Sequence, residues 1–396
     1  MNKEPIYLLL AVLLAFGLTA CNKDVVILAN NDLGMHCMDE DFSSFMILPP
    51  YNTVQAQVIQ RGLAPVILSS GLEISYEIPG NTISSTKTNF WEYANALMGV
   101  SLTPDTGLTG NGLTGVMALP SGEESRWIVT GIPITPIMDD GTENPYPLGL
   151  FTAKKDGEAV GSTQAVVPVS WEISCAVCHG GEDDKARSEG KEVLSTALDI
   201  LTKHDEEHDT DLVNSQPVMC GSCHAQAPLG TVGEEGVSSL SRAMHHSHSG
   251  RMDADVLQAA GIGVSCYACH PGVRTQCLRD LHVSKGLGCM SCHGDMSAVA
   301  SENRHPWVDE PRCDDCHERD GFEFEQEGTL FRNARGHHGV ACAACHGSPH
   351  AMGPSLNDAD NVQAIQYQGE PGPIGRKCSV CHGINLPKFV FNHKFS

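Results

Sequence analysis

Basic residues are scarce in this chain of 396 residues: 25 Lys and Arg stand against 48 Asp and Glu, a formal charge of −23. Such a surface repels a polyanion, which excludes nucleic acid as a partner class. It suits a basic partner protein or a cationic metal species. The deficit is general, with 6 basic against 17 acidic side chains in residues 22–174 and 18 against 30 in residues 175–396. Long apolar runs are also lacking. The run Ile6–Leu18 falls short of the ~20 residues that a membrane-crossing helix needs, and nothing after Cys21 reaches that length. Spare cysteine is scarce too. Of 17 cysteines, only Cys21, Cys37 and Cys277 lie outside one repeated motif, which excludes a disulfide framework.

That motif is Cys-x-x-Cys-His, present seven times: Cys175-Cys178-His179, Cys220-Cys223-His224, Cys266-Cys269-His270, Cys289-Cys292-His293, Cys313-Cys316-His317, Cys342-Cys345-His346 and Cys378-Cys381-His382. At this composition chance gives about 0.03 copies. The spacing is the attachment signal for c-type haem: two thiols add to the two vinyl groups of one porphyrin, and the adjacent imidazole reaches the iron. Zinc knuckles need no His after each Cys pair, and a redox dithiol would be a single copy inside a strand–helix alternation. The expected cofactor is therefore haem c, seven per chain, with His179, His224, His270, His293, His317, His346 and His382 as proximal ligands.

Residues 1–20 read as an export signal, with Lys3 as a short basic start and Ile6–Leu18 as the apolar stretch. Leu18-Thr19-Ala20-Cys21 resembles a bacterial lipobox, which implies lipidation at Cys21. Asn22 rather than Asp after the lipid site implies the outer membrane. The expectation is an exported outer-membrane lipoprotein, facing the periplasm or the cell surface. Export agrees with c-type haem, which is attached outside the cytoplasm.

Composition changes near Ser174. Residues 21–174 contain no motif and read as an all-β, sandwich-like domain, with strands expected at Val25–Ala29, Thr53–Gln60, Pro65–Ser69, Leu72–Ile78, Arg126–Ile134 and Gln164–Ile173. Residues 175–396 read as a heptahaem, mostly helical and irregular domain. Seven motifs within the 208 residues from Cys175 to His382 leave about 30 residues per porphyrin, too few for a protein core around each one. The motif spacings are 45, 46, 23, 24, 29 and 36 residues, so copies three to five form the tightest cluster. A helix is expected over Lys191–His208, with Val193, Leu194, Ala197, Leu198 and Leu201 on one stripe.

The sixth iron ligand separates a carrier from a catalyst. Of 19 histidines, 12 are not proximal, and ten of these lie between the first and last motifs. Bis-His iron is therefore affordable at every site. The candidate distal ligands are His204, His208, His245, His248, His282, His337 and His350. His245 and His248 are spaced i,i+3 and share a helix face, as do His204 and His208 at i,i+4. His246, His305, His338 and His393 rank lower, and Met244, Met290 or Met352 are substitutes at one site. Paired His204 and His208 also raise zinc, but without a third clear ligand. His36-Cys37, on the turn Asn31–Gly34, reads as a loop with a buried thiol, or as a donor to the first haem or to a metal. Whether Cys37 and Cys277 pair is left open.

The seven motifs, with segments such as Cys266–Thr275 and Cys342–Ala351, resemble the multihaem c-type cytochromes of metal-respiring anaerobic bacteria; the lipobox-like start is similar to that of their outer-surface members. The resemblance covers residues 175–396. It implies electron transfer without chemistry of its own, in anaerobic respiration or toward extracellular acceptors, with other cytochromes as redox partners and a metal as a terminal acceptor. Two alternatives stand beside it. One is a multihaem reductase of a small nitrogen or sulfur oxyanion with one open iron; the pentahaem nitrite reductases mark that iron with Lys, whereas all seven motifs here end in His. The other is a subunit of a haem filament.

Overall fold

The computed structural model describes residues 25–122, 125–180, 195–318 and 323–383. The expected export signal, Cys21, residues 191–194 of the expected helix and His393 lie outside the described residues.

The first half is β-rich. Its strands are β1 (Val25–Asn31), β2 (His36–Cys37), β3 (Phe45–Met46), β4 (Val54–Gln60), β5 (Val66–Leu68), β6 (Glu73–Glu77), β7 (Thr114–Val116), β8 (Trp127–Val129), β9 (Leu148–Lys155), β10 (Glu158–Val166) and β11 (Val169–Ser170). One antiparallel sheet runs β1-β4-β5 with β8 also on β4; a second runs β10-β9-β6-β7. They share one core. Ile27, Ala29, Val54, Ala56 and Val58 of the first sheet meet Ile74, Tyr76, Phe151, Ala153 and Ala165 of the second. Helix α1 (Phe90–Met98) adds Phe90, Ala94 and Leu97, spaced so that one stripe faces the sheets. Gly99, at φ 69°, ends it in the left-handed conformation that glycine adopts without a Cβ penalty.

The second half is built from short turns and three longer helices: α2 (Thr196–His208), α3 (Leu240–His248) and α4 (Asp358–Gln368). Ser195 and Ser239 cap α2 and α3 by accepting backbone N–H bonds from Leu198 and Arg242. The apolar core internal to this half is small, centred on Leu257, Ile262 and Ala268. Much of its packing is against the first half. β1 sends Ile27 and Ala29 to the sheet core and Val26 and Leu28 to a second core with Val340, Ala341, Ala344, Ala364, Ile374 and Val380. Burial on both faces explains why this strand reads as a continuous apolar run.

Polar groups seal the same contact. The Tyr367 hydroxyl accepts from the Ile27 N–H at 3.0 Å and donates to the Ile27 carbonyl at 2.9 Å, satisfying the open edge of β1. Gln57 donates to the Gly339 carbonyl and accepts from the Ala341 N–H. Strand β12 (Val218–Met219), immediately before the second motif, pairs in parallel with β3. Glu172 takes backbone N–H groups from Gly272, Val273, Arg274 and Thr275, clamping the segment after the third motif.

Candidate functional site

Each Cys-x-x-Cys-His copy forms one helical turn. The backbone N–H of the motif histidine donates to the carbonyl of the first cysteine at His179, His224, His270, His317 and His382, at 2.9–3.0 Å. Cys289–His293 and Cys342–His346 are short α-helices. A turn of this pitch brings positions one, four and five to one side, so the thiols and the imidazole converge.

Among the described residues, a second imidazole stands across from His179, His224, His270, His293, His317 and His382. Ring centres lie 6.3 Å apart for His179–His248, 6.3 Å for His204–His224, 6.2 Å for His245–His270, 6.2 Å for His282–His317, 6.0 Å for His293–His350 and 6.1 Å for His337–His382. Two imidazoles on opposite sides of one metal ion, each about 2.0 Å from metal to nitrogen, have ring centres roughly 6.3 Å apart. His204 and His208, neighbours on one helix, sit closer at 4.8 Å, whereas His36 and Tyr51, outside the motifs, also lie 6.3 Å apart, so what is distinctive is the recurrence of this spacing at motif histidines. The spread in interplanar angle, from 23° to 87°, leaves separation as the shared property.

The outward nitrogens are held as ligand chemistry requires. Nδ1 meets the Asp199 carboxylate in His179 (3.0 Å), the Ser238 carbonyl in His224 (2.8 Å), the Ser241 carbonyl in His245 (2.6 Å), the Met244 carbonyl in His248 (2.8 Å) and the Asp280 carboxylate in His282 (3.0 Å). An acceptor at Nδ1 places the proton there and leaves the Nε2 lone pair for a metal. Burial holds His204, His245, His270 and His293 below the usual histidine value, and takes His350 down to about 4. These imidazoles are neutral at pH 7, the ligating form.

Two of the second imidazoles sit on strained backbone, His337 at φ 37° and His350 at φ 63°. A non-glycine residue there costs on the order of 1–3 kcal/mol and persists only where its surroundings impose it. For His350 they are visible. Its carbonyl accepts the Arg279 N–H at 2.8 Å, and the fully buried Arg279 guanidinium grips Asp360 through two bonds of 2.7 and 2.9 Å. Arg279 also donates to the Gln276 and Cys277 carbonyls and stacks on Tyr146.

The remaining candidates fall elsewhere. His208 stands beside His204 rather than across from a motif histidine. His246 is exposed, His305 is exposed and bound to Asp309, and His338 lines a cavity of about 400 Å³ with Glu323, Phe324, Gln326 and Arg335. Met290 is exposed. His346 ends its helix with its carbonyl accepting the Gly353 N–H, and lines a narrow cavity with Asn31 and Asn361. His36 is buried in β2 with Nε2 on Asp32 at 2.8 Å, a structural contact in the first half. Cys37 and Cys277 are free thiols; burial, then the nearness of Cys277, pushes the Cys37 thiol pKa up. Among the described residues no cluster of three or more His, Cys, Asp or Glu is arranged to hold a bare metal ion, and no helix is long and apolar enough to cross a membrane.

Sequence reasoning did not find Asp199, Asp280, Glu172 or Arg279. Asp280 lies two residues before His282, a spacing that was open to inspection. The others act over separations of 20 to 103 residues and carry no local signal. No family model and no curated protein matches this chain.

Proposed function

We propose that this chain is a heptahaem c-type cytochrome that carries electrons, and that it is not a catalyst. The observation that carries the reading is the set of six imidazole pairs at 6.0–6.3 Å, each with one member in a Cys-x-x-Cys-His turn. The residues fit haem c: the seven motif cysteine pairs would hold the porphyrins, and the motif histidines with His248, His204, His245, His350, His282 and His337 would supply axial nitrogens. Haem supplies one-electron iron chemistry when bound. The chain's own part would be to offer two imidazole nitrogens at each of the six paired motifs, fix the tautomer through Nδ1, and keep the imidazoles neutral. The small protein core of the second half agrees with porphyrins as its main apolar filling. The acidic surface suits a basic redox partner, such as another cytochrome, or a cationic metal acceptor. The lipobox-like Leu18–Cys21 supports export and an outer-membrane anchor.

The test is an EPR and visible spectrum of the purified oxidised protein, repeated after reduction and addition of carbon monoxide, with haem counted against protein. Seven haems, all low-spin and unshifted by carbon monoxide, are expected of a carrier. A high-spin fraction near one-seventh that binds carbon monoxide would move the assignment to the reductase class.

A further inference from the structure

The attachment sites, numbered 1 to 7 along the chain, are not arranged in space in that order. We propose that they form a single file in the sequence 2–1–3–4–5–6–7, with sites 2 and 7 as its two ends. This rests on the haem reading above.

Each step has its own contact. Helix α2 joins sites 2 and 1: Asp199 holds His179 of site 1, and His204 faces His224 of site 2. Helix α3 joins sites 1 and 3, since His248 faces His179 and His245, one turn away, faces His270. The Ser174 N–H also donates to the Ala268 carbonyl, tying motif one to motif three at 3.0 Å. Sites 3 and 4 meet across helix α3, which packs on the turn Met296–Val299 that follows motif four and pairs its Arg242, one turn before His245, with Glu302. Sites 4 and 5 draw their second imidazoles from two adjacent segments. The Arg279 N–H donates to the His350 carbonyl at 2.8 Å and the Leu281 N–H to the Met352 carbonyl at 3.1 Å, so His350 and His282 sit side by side. Between sites 5 and 6, the turn over residues 331–334 bridges both: Glu310, just before motif five, accepts the Phe331 N–H, and the Ala334 carbonyl accepts the Cys342 N–H of motif six at 3.0 Å. Sites 6 and 7 share one apolar core through Cys345 and Cys381, and the hairpin Arg335–Ala341 carries His337 of site 7 directly into Cys342 of site 6.

The inversion at the start has a cause in the chain. Spacings of 45 and 46 residues flank motif two, and β12 docks the segment before Cys220 onto β3 of the first half. Site 2 is thereby drawn to one end, and site 3 takes the place beside site 1. End sites have one neighbour each, so electrons enter and leave the file there.

Anomalous diffraction at the iron edge on crystals of the full-length haem-loaded protein tests the order directly. The expected result is seven irons in an unbranched file, with the site 2 iron nearest only to site 1 and the site 7 iron nearest only to site 6. A branched or closed arrangement, or a site 2 iron nearer to site 3 than to site 1, overturns the order and leaves the haem reading standing. Protein that binds no haem when expressed with a cytochrome c maturation system overturns both.

Discussion

His350 and His246 differ in what surrounds them, not in what they are. His350 is buried, faces His293, and is held on strained backbone by Arg279; His246 projects from the exposed side of α3. Replacing His350 with Gly is expected to open one iron in seven, adding a high-spin EPR signal and carbon monoxide binding, whereas His246→Gly leaves the spectrum unchanged. The support can be tested apart from the ligand. Asp360→Ala strands a buried guanidinium and should cost about 3–5 kcal/mol in a denaturant titration. Identical spectra and stability in that variant would remove the ion pair from the argument. At this scale the thiols and motif imidazoles were legible because the spacing encodes a single helical turn. Their opposite imidazoles were legible only as a pool. The fold sets His204, His245, His248, His282, His337 and His350 across from motif histidines, and nothing local separates His204 from His208 on the same helix.

Helix α3 is the element on which the arrangement depends most. It carries the partners of two motif histidines, so its loss is felt at two sites at once. Ala243→Pro removes the bond from the Ala243 N–H to the Ser239 carbonyl and clashes with the preceding turn, a cost of about 3 kcal/mol. The expected spectroscopic change is two altered irons; a change at one or none would show that His245 and His248 do not act from a common helix. Strand β4 shows how an alternating pattern is misread. Val54, Ala56 and Val58 face the sheet core as expected, but Gln55 and Gln57, which alternation assigns to solvent, are 5% and 1% exposed. Their amides are spent on Arg126, Gly339 and Ala341. Strand β9 was not expected at all, although the turn Asp156-Gly157 between β9 and β10 is a hairpin signal. Helix α2 ends at His208 as the apolar stripe indicated, because Asp209 turns left-handed at φ 54°.

For the whole molecule, polar clamps fasten the two halves beside the apolar contact, and one of them predicts a loss of stability in acid. Backbone N–H groups from Gly272 to Thr275 outweigh the opposing effect of burial and hold the Glu172 carboxyl below its usual value of 4.5. The folded state thus binds a proton less readily than the unfolded chain. The clamp's contribution is complete above about pH 4.5 and is lost as pH falls below it. Glu172→Gln should lower the urea midpoint at pH 7, by roughly 2–3 kcal/mol of stability, and reduce the further loss between pH 5 and 3. An unchanged acid profile would show that the clamp contributes nothing. Removing residues 25–174 is expected to leave a second half that does not fold, because Val26, Leu28 and Ile59 complete one of its cores and Tyr367 loses its strand edge. Cooperative unfolding of residues 175–396 made alone would contradict this.

The motif turns, the β-rich character of the first half, and the surplus of histidine followed from the sequence itself. Each depends on residues within a few positions of one another, where covalent spacing sets the geometry. Which imidazole faces which motif, which carboxylates hold their outer nitrogens, and how the sites follow one another in space were decided by tertiary structure. Apart from Asp280, two residues before His282, the imidazole pairs and their carboxylates join residues 20 to 69 positions apart, brought together by the packing of β1 and β4 against the second half, by the docking of β12 on β3, and by the Glu172 and Arg279 clamps.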